Sequence, residues 1–218
     1  MKLDKKFLAK LLGVRESQIA SISGLTFELS NATEEQISFK ELLHERVKEK
    51  VRALTTVLVG EDDLGKVVRA HIYIEHELQD LIFFAAPNPD QLERFDCMEF
   101  SEKVRLALVL GLNANLKAGL SAVGNLRNKF SHRLDTKLGE EEANSLVASL
   151  PTPVRRKFQT LLKDALSELP DKASLKGDAR AYFQAQTHVM MFFLALFDTV
   201  AEERHRLAFE KLRTMAWH

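Results

Sequence analysis

The sequence predicts an all-α protein: a helical bundle with a short helical segment at the amino-terminal end and a long helix at the carboxyl-terminal end. Three observations predict it. All five prolines (Pro87, Pro89, Pro151, Pro153, Pro170) fall in three short clusters, and a proline interrupts a helix because it lacks the amide hydrogen and clashes with the preceding turn. Between the clusters, apolar residues recur at three- and four-residue spacing, the period of a helix with one buried face. Strand patterns are few. Residues 25–29 alternate and His71-Ile72-Tyr73-Ile74 is rich in β-branched residues, but isolated strands make no sheet.

Residues 1–32 read as a unit of their own. Ala9, Gly13, Val14, Ile19 and Ile22 follow the spacing of a helix-turn-helix. The small residue lets two helices approach, the glycine makes the turn, and the apolar residues pack the pair. A second helix from Glu16 would offer Arg15, Ser17, Gln18 and Ser21 to DNA. Two short helices joined by a glycine turn, with no DNA role, fit the same residues.

Residues 33–218 read as the main helical domain. Helices are expected over 40–58 and 62–84, separated by Gly60 and Glu61, with Asp62 or Asp63 as N-cap. A shorter helix over 101–110 would be capped by Ser101. Further helices are expected over 116–132, 140–150, 153–166 and 177–217. The last carries Phe183, Met190, Phe193, Phe197 and Val200 on one face.

Composition excludes several classes. Hydrophobic residues at 45% and charged residues at 28% are globular proportions, with little room for extended disorder. Cys97 is the sole cysteine, so no internal disulfide forms and no oxidising compartment is needed. No apolar run approaches the roughly 18 residues that span a bilayer, and the first residues lack a signal-peptide pattern. A cytoplasmic protein without membrane contact is therefore expected. Lys plus Arg equal Asp plus Glu, 31 each, so nucleic-acid binding would rest on a local patch. There is no glycine-rich phosphate loop, Gly-x-Ser-x-Gly elbow or cysteine pair. His71, Glu75 and His76 have partial ligand spacing, but nothing completes a set, and neither metal nor cofactor is expected.

The segment Arg127-Asn128-Lys129-Phe130-Ser131-His132 concentrates the chemistry. On a helical wheel Leu116, Leu120, Val123, Leu126, Phe130 and Leu134 share one arc, and Arg127 falls inside it. A guanidinium aimed into an apolar seam needs an anion or fixed acceptors. As a purely structural residue Arg127 would pair with Glu75 or Asp80, and His132 would merely end a helix. Asn128 and His132 share a face, whereas Arg127 and His132 diverge by about 140° on a regular helix. They converge only if the helix frays or two copies meet. Over residues 101–138 seven basic residues (Lys103, Arg105, Lys117, Arg127, Lys129, Arg133, Lys137) stand against Glu102 and Asp135, a local patch suited to phosphate.

Arg127, four residues and then His132, with a polar residue directly after the arginine, resembles the R-x(4–6)-H signature of the HEPN superfamily. The text from Glu99 to Ala107 and from Leu126 to His132, with the preceding helix around residues 69–78, is similar to the branch containing mannitol-operon-repressor-like proteins. The resemblance covers about residues 62–150. It implies a helical bundle that dimerises so that two motifs face each other, and active members cleave RNA without a metal ion. His132 would then move a proton at the ribose 2′-hydroxyl or leaving oxygen, Arg127 would hold the scissile phosphate, and Asn128 would orient one of them. Lys129, Arg133 and Lys137 would contact the nucleic acid, with Glu75 and Asp80 as polar support. Such enzymes serve as toxins or in phage defence, with an antitoxin or regulatory protein as partner. The tyrosine that follows the histidine in members controlled by a nucleotidyltransferase antitoxin is replaced by Arg133-Leu134-Asp135. The same branch also implies a non-enzymatic alternative, a transcription regulator whose amino-terminal helices, through Arg15 and Gln18, touch DNA.

Overall fold

The computed structural model describes residues 34–92, 95–132, 136–168 and 177–215. The helix-turn-helix-like segment with Arg15 and Gln18, the alternating stretch 25–29, and Arg133 lie outside the described residues. Among the described residues there are seven α-helices and no strand: α1 (Glu34–Val59), α2 (Asp63–Ala85), α3 (Phe100–Val109), α4 (Lys117–His132), α5 (Glu140–Ala148), α6 (Thr152–Glu168) and α7 (Asp178–Met215). None of them is long and apolar enough to cross a membrane.

Local chemistry sets the ends. Asp62 caps α2, its Oδ1 accepting from the Gly65 amide at 2.7 Å, as its side chain predicts. The expected cap of α3 at Ser101 is corrected. The helix starts at Phe100 with Glu99 as N-cap, and the Glu99 amide donates to Glu102 Oε2 at 3.1 Å. Phe100 is drawn into the helix because its ring packs on His71, centroids 4.4 Å apart. At the other end, the Leu112 amide donates to Ala107 O at 2.9 Å and the Gly111 amide to Leu108 O at 3.2 Å. Gly111 has φ +106°, so this is a Schellman ending, which needs a residue without Cβ in the left-handed region. α1 begins six residues before the expected start, since Glu34, Glu35 and Gln36 suit a helix amino terminus. The β-branched run His71 to Ile74 lies inside α2, where burial of Ile74 overrides strand propensity.

α7 is the central element, packing against α2, α6, α5 and α1, while α2 also packs on α3, α4 and α1. Phe192, Phe193, Leu196, Phe197 and Val200 of α7 are fully or almost fully buried. Burying side chains of this size contributes roughly 1.5–3 kcal/mol each. Gly119 of α4 lets that helix approach: a Cβ there would sit 3.5 Å from Leu196.

Charged residues tie the bundle together. Asp63 at the start of α2 accepts from the Leu138 amide (2.8 Å), Tyr182 Oη (2.7 Å) and Gln186 Nε2 (2.6 Å). This anchors the 136–139 link between α4 and α5, and the Asp63 hydrogen bond pushes the Tyr182 phenol up to about 12. Arg204 of α7 is 2% exposed. Its Nη1 lies 3.3 Å from Asp80 Oδ2, and its Nε lies 3.2 Å from Glu77 Oε2 without hydrogen-bond alignment. Lys50 of α1 meets the other Glu77 oxygen. Asp80, expected near Arg127, thus belongs to Arg204.

Candidate functional site

α2, α3 and α4 diverge at one side of the bundle around a cleft of about 640 Å³. α2 contributes His71 and Glu75, α3 contributes Phe100, Ser101, Val104 and Arg105, and α4 contributes the longest wall. Lys117, Ser121, Asn125 and Asn128 line the cleft from α4. They recur at four, four and three residues, which places them in one row along the helix. All four are exposed. Gly124 in the same wall lets the Phe100 ring close in, since a Cβ there would lie 3.2 Å from Phe100 Cδ1.

Arg127 lines this cleft and is exposed, which corrects the expectation of a guanidinium in an apolar seam. The buried arc of α4 does hold Leu120, Val123, Leu126 and Phe130. Arg127 stands at the edge of that arc where the neighbouring helices have parted, so its side chain leaves through the opening. Its Nη1 donates to Asn128 Oδ1 at 3.4 Å. Among the described residues Arg127, Arg105 and Lys117 form no ion pair with a carboxylate. The lining also holds Glu75, which is paired with Lys103, and Glu99, the N-cap of α3; neither forms an ion pair with these three cations, which together attract an anion.

The rest of the predicted patch is divided. Lys103 is buried, 2% exposed, and donates to Glu75 Oε1 at 2.7 Å. Glu75 therefore supports Lys103 and not Arg127. Lys129 donates to Glu142 Oε1 of α5 at 2.6 Å, and Lys137 is exposed outside the cleft lining. His132 is exposed and closes α4. It follows Asn128 by one turn on the same face, beyond the residues that line the cleft. Because α4 is regular to its end, Arg127 and His132 of one chain do not converge.

His71 is the titratable ring that the cleft contains. It is 8% exposed, stacked on Phe100, with Nδ1 3.7 Å from Glu75 Oε2. Burial holds its pKa below the ordinary imidazole value. The Glu75 carboxylate opposes that shift, while the Arg127 and Lys103 charges reinforce it. The neutral ring is thus favoured near pH 7, and it can accept a proton. The sequence singled out His71 only as a metal ligand. Its place beside Arg127 depends on the packing of α2 against α4, which spacing within one helix does not encode. The row from Lys117 to Asn128 was readable as polar residues at helical spacing.

Among the described residues no three His, Cys, Asp or Glu side chains gather as a metal set. No protein-family model, curated protein or solved structure matches the chain. The cleft brings together three cations without carboxylate partners among the described residues, two amides, two serine hydroxyls, an imidazole and the carboxylates of Glu75 and Glu99.

Proposed function

We propose that this protein is a dimeric, metal-independent endoribonuclease of HEPN type, with RNA lying in the cleft between α2, α3 and α4. The observation that carries the reading is the exposed Arg127–Asn128 pair at an opening that also holds Arg105 and Lys117, all three cations free of carboxylate partners among the described residues. Guanidinium and ammonium groups left unmatched around a recess bind phosphate, and arginine does so through paired hydrogen bonds. Arg127 would hold the scissile phosphate and stabilise the charge that builds on its oxygens in the transition state. The amides of Asn125 and Asn128 would fix the strand along α4.

The exposed His132 at the end of the same polar row supports passage of the strand beyond the cleft. In a dimer that brings two α4 ends together, His132 of one subunit could reach the phosphate held by Arg127 of the other. A toxin or defence role, with a regulatory protein as partner, belongs to the same reading.

Incubation of the purified protein with RNA in excess chelator tests it. Cleavage is expected from the wild-type protein, with loss of roughly 100-fold or more in Arg127→Ala. RNA that stays intact with folded wild-type protein sinks the reading. Light scattering or sedimentation checks the dimer, which this mechanism requires.

A further inference from the structure

The cleft that exposes Arg127 already contains a proton acceptor, and it is not His132. We infer that His71 is the catalytic base of the cleft, taking the proton from the ribose 2′-hydroxyl next to the phosphate held by Arg127; this rests on the ribonuclease reading above.

Four observations carry it. His71 and Arg127 line the same recess, one from α2 and the other from α4, whereas His132 lies outside it. The His71 ring is fixed in place by Phe100, whose position depends in turn on the bare Gly124. Glu75 faces Nδ1 and is itself pinned by the buried Lys103. At 3.7 Å that carboxylate is outside hydrogen-bond distance, but its charge on that side favours hydrogen on Nδ1, which leaves the Nε2 lone pair as acceptor. Lastly, Arg105 and Lys117 stand in the same cleft, so a phosphate near Arg127 would find further cations around it.

The charged groups about the ring are Glu75 on its own helix, Lys103 on α3 and Arg127 on α4, with Arg105 on α3 in the same lining. Together with burial they keep the imidazole uncharged at neutral pH, the form a base needs. In the step itself, His71 Nε2 takes the 2′-hydroxyl proton and the 2′-oxygen bonds to phosphorus. The bond from phosphorus to the 5′-oxygen of the next nucleotide breaks, giving a 2′,3′-cyclic phosphate. The departing oxygen takes a proton from water, and the imidazolium returns its own proton to solvent, so charge and atoms balance without a metal or oxidant. Here Arg127 stabilises charge and Glu75 is a positioning residue.

The test compares wild type, His71→Ala, His71→Asn and His132→Ala for cleavage of a short RNA, and for binding of the same oligonucleotide with 2′-methoxy groups, which cannot be cut by this route. Expected for both His71 variants is binding within about threefold of wild type and cleavage lower by roughly 100-fold or more. Added imidazole should restore part of the rate in His71→Ala, where the ring's space is vacant. Cleavage that survives both His71 substitutions and dies in His132→Ala overturns the assignment and leaves the ribonuclease reading standing. Loss without imidazole rescue in a variant that still binds also overturns it. A wild-type protein that binds but never cuts RNA overturns the ribonuclease reading first, and this inference with it.

Discussion

Two arginines on opposite sides of α2 meet opposite fates. Arg204 is buried in α7, within ion-pair distance of Glu77 and Asp80, and its Nη2 donates to His205 Nε2 at 2.6 Å. Arg127 is exposed at the cleft and meets the Asn128 amide oxygen but no carboxylate among the described residues. α2 serves both, since Glu77 and Asp80 lie roughly opposite His71 and Glu75 around its axis. The contrast separates a charge that holds the bundle together from one left available to a ligand. A buried charge demands partners, and a free charge at a recess is tolerated because water solvates it until an anion arrives.

Substitutions can break this contrast, and the largest effect belongs to the buried side. Arg204→Met should destabilise by about 3–5 kcal/mol in urea unfolding, because it leaves the buried Glu77 Oε2 without a cation while Lys50 holds only the other oxygen. A change under about 1 kcal/mol would mean that the cluster contributes no net stability.

Acid should act on the same cluster. A guanidinium only donates, so His205 must accept through Nε2 and is held neutral. Burial first, then the Arg204 and Lys50 charges, depress its pKa from the usual 6.5 to about 3. The unfolded chain binds this proton near pH 6.5 and the folded chain does not, so stability falls as pH drops from there towards 3. Burial of the neutral His71 ring adds to the fall with the same sign. At about 1.36 kcal/mol per pH unit, roughly 3 kcal/mol should be lost by pH 4. His205→Gln keeps an acceptor without titrating, and melts recorded across this range should show a shallower decline. An unchanged slope would contradict the assignment.

On the cleft side the effects are smaller. Gly124→Ala would press its new methyl against Phe100, with a cost of about 1–3 kcal/mol, and should move the NMR signals of the His71 ring through the shared contact. Signals that stay in place would separate Phe100 from the positioning of His71. Smallest of all, Arg127→Ala should leave the thermal midpoint nearly unchanged, within about 0.5 kcal/mol, because an exposed side chain whose hydrogen bond is to its neighbour Asn128 supports little. A large loss would assign Arg127 a structural role.

Most of the helical frame was legible because proline clusters and apolar period are local signals. Asp62 acts as the cap its side chain advertises, and the long final helix runs from Asp178 to Met215. The candidate site was legible in part. Arg127 was placed in the apolar arc by its wheel position, which could not reveal that α2 and α3 part from α4 at that level and leave the side chain exposed. Asp80 was matched to the wrong arginine, because its partner Arg204 lies 124 residues away and only the packing of α7 on α2 unites them. Ser101 looked the better cap by residue type, yet the contact of Phe100 with His71 drew the helix start back to Glu99. In each case a long-range contact prevailed over a local preference.

The charged stretch of α7 from Asp198 to Arg206 has a consequence for how the bundle comes apart. Lys157 of α6 holds Asp198 and Glu202 at 2.6 Å each. Glu203 accepts from the Asn113 amide at 3.2 Å, and Arg206 donates to Gly111 O at 2.7 Å, so the turn between α3 and α4 is fastened here too. Arg204 in between grips α2. About two turns of one helix therefore join three separate neighbours. Unwinding them would release all three interfaces together, which favours opening as one cooperative unit over peeling of single helices. In hydrogen exchange, amides of this stretch should open only with the whole bundle, at the full free energy of unfolding.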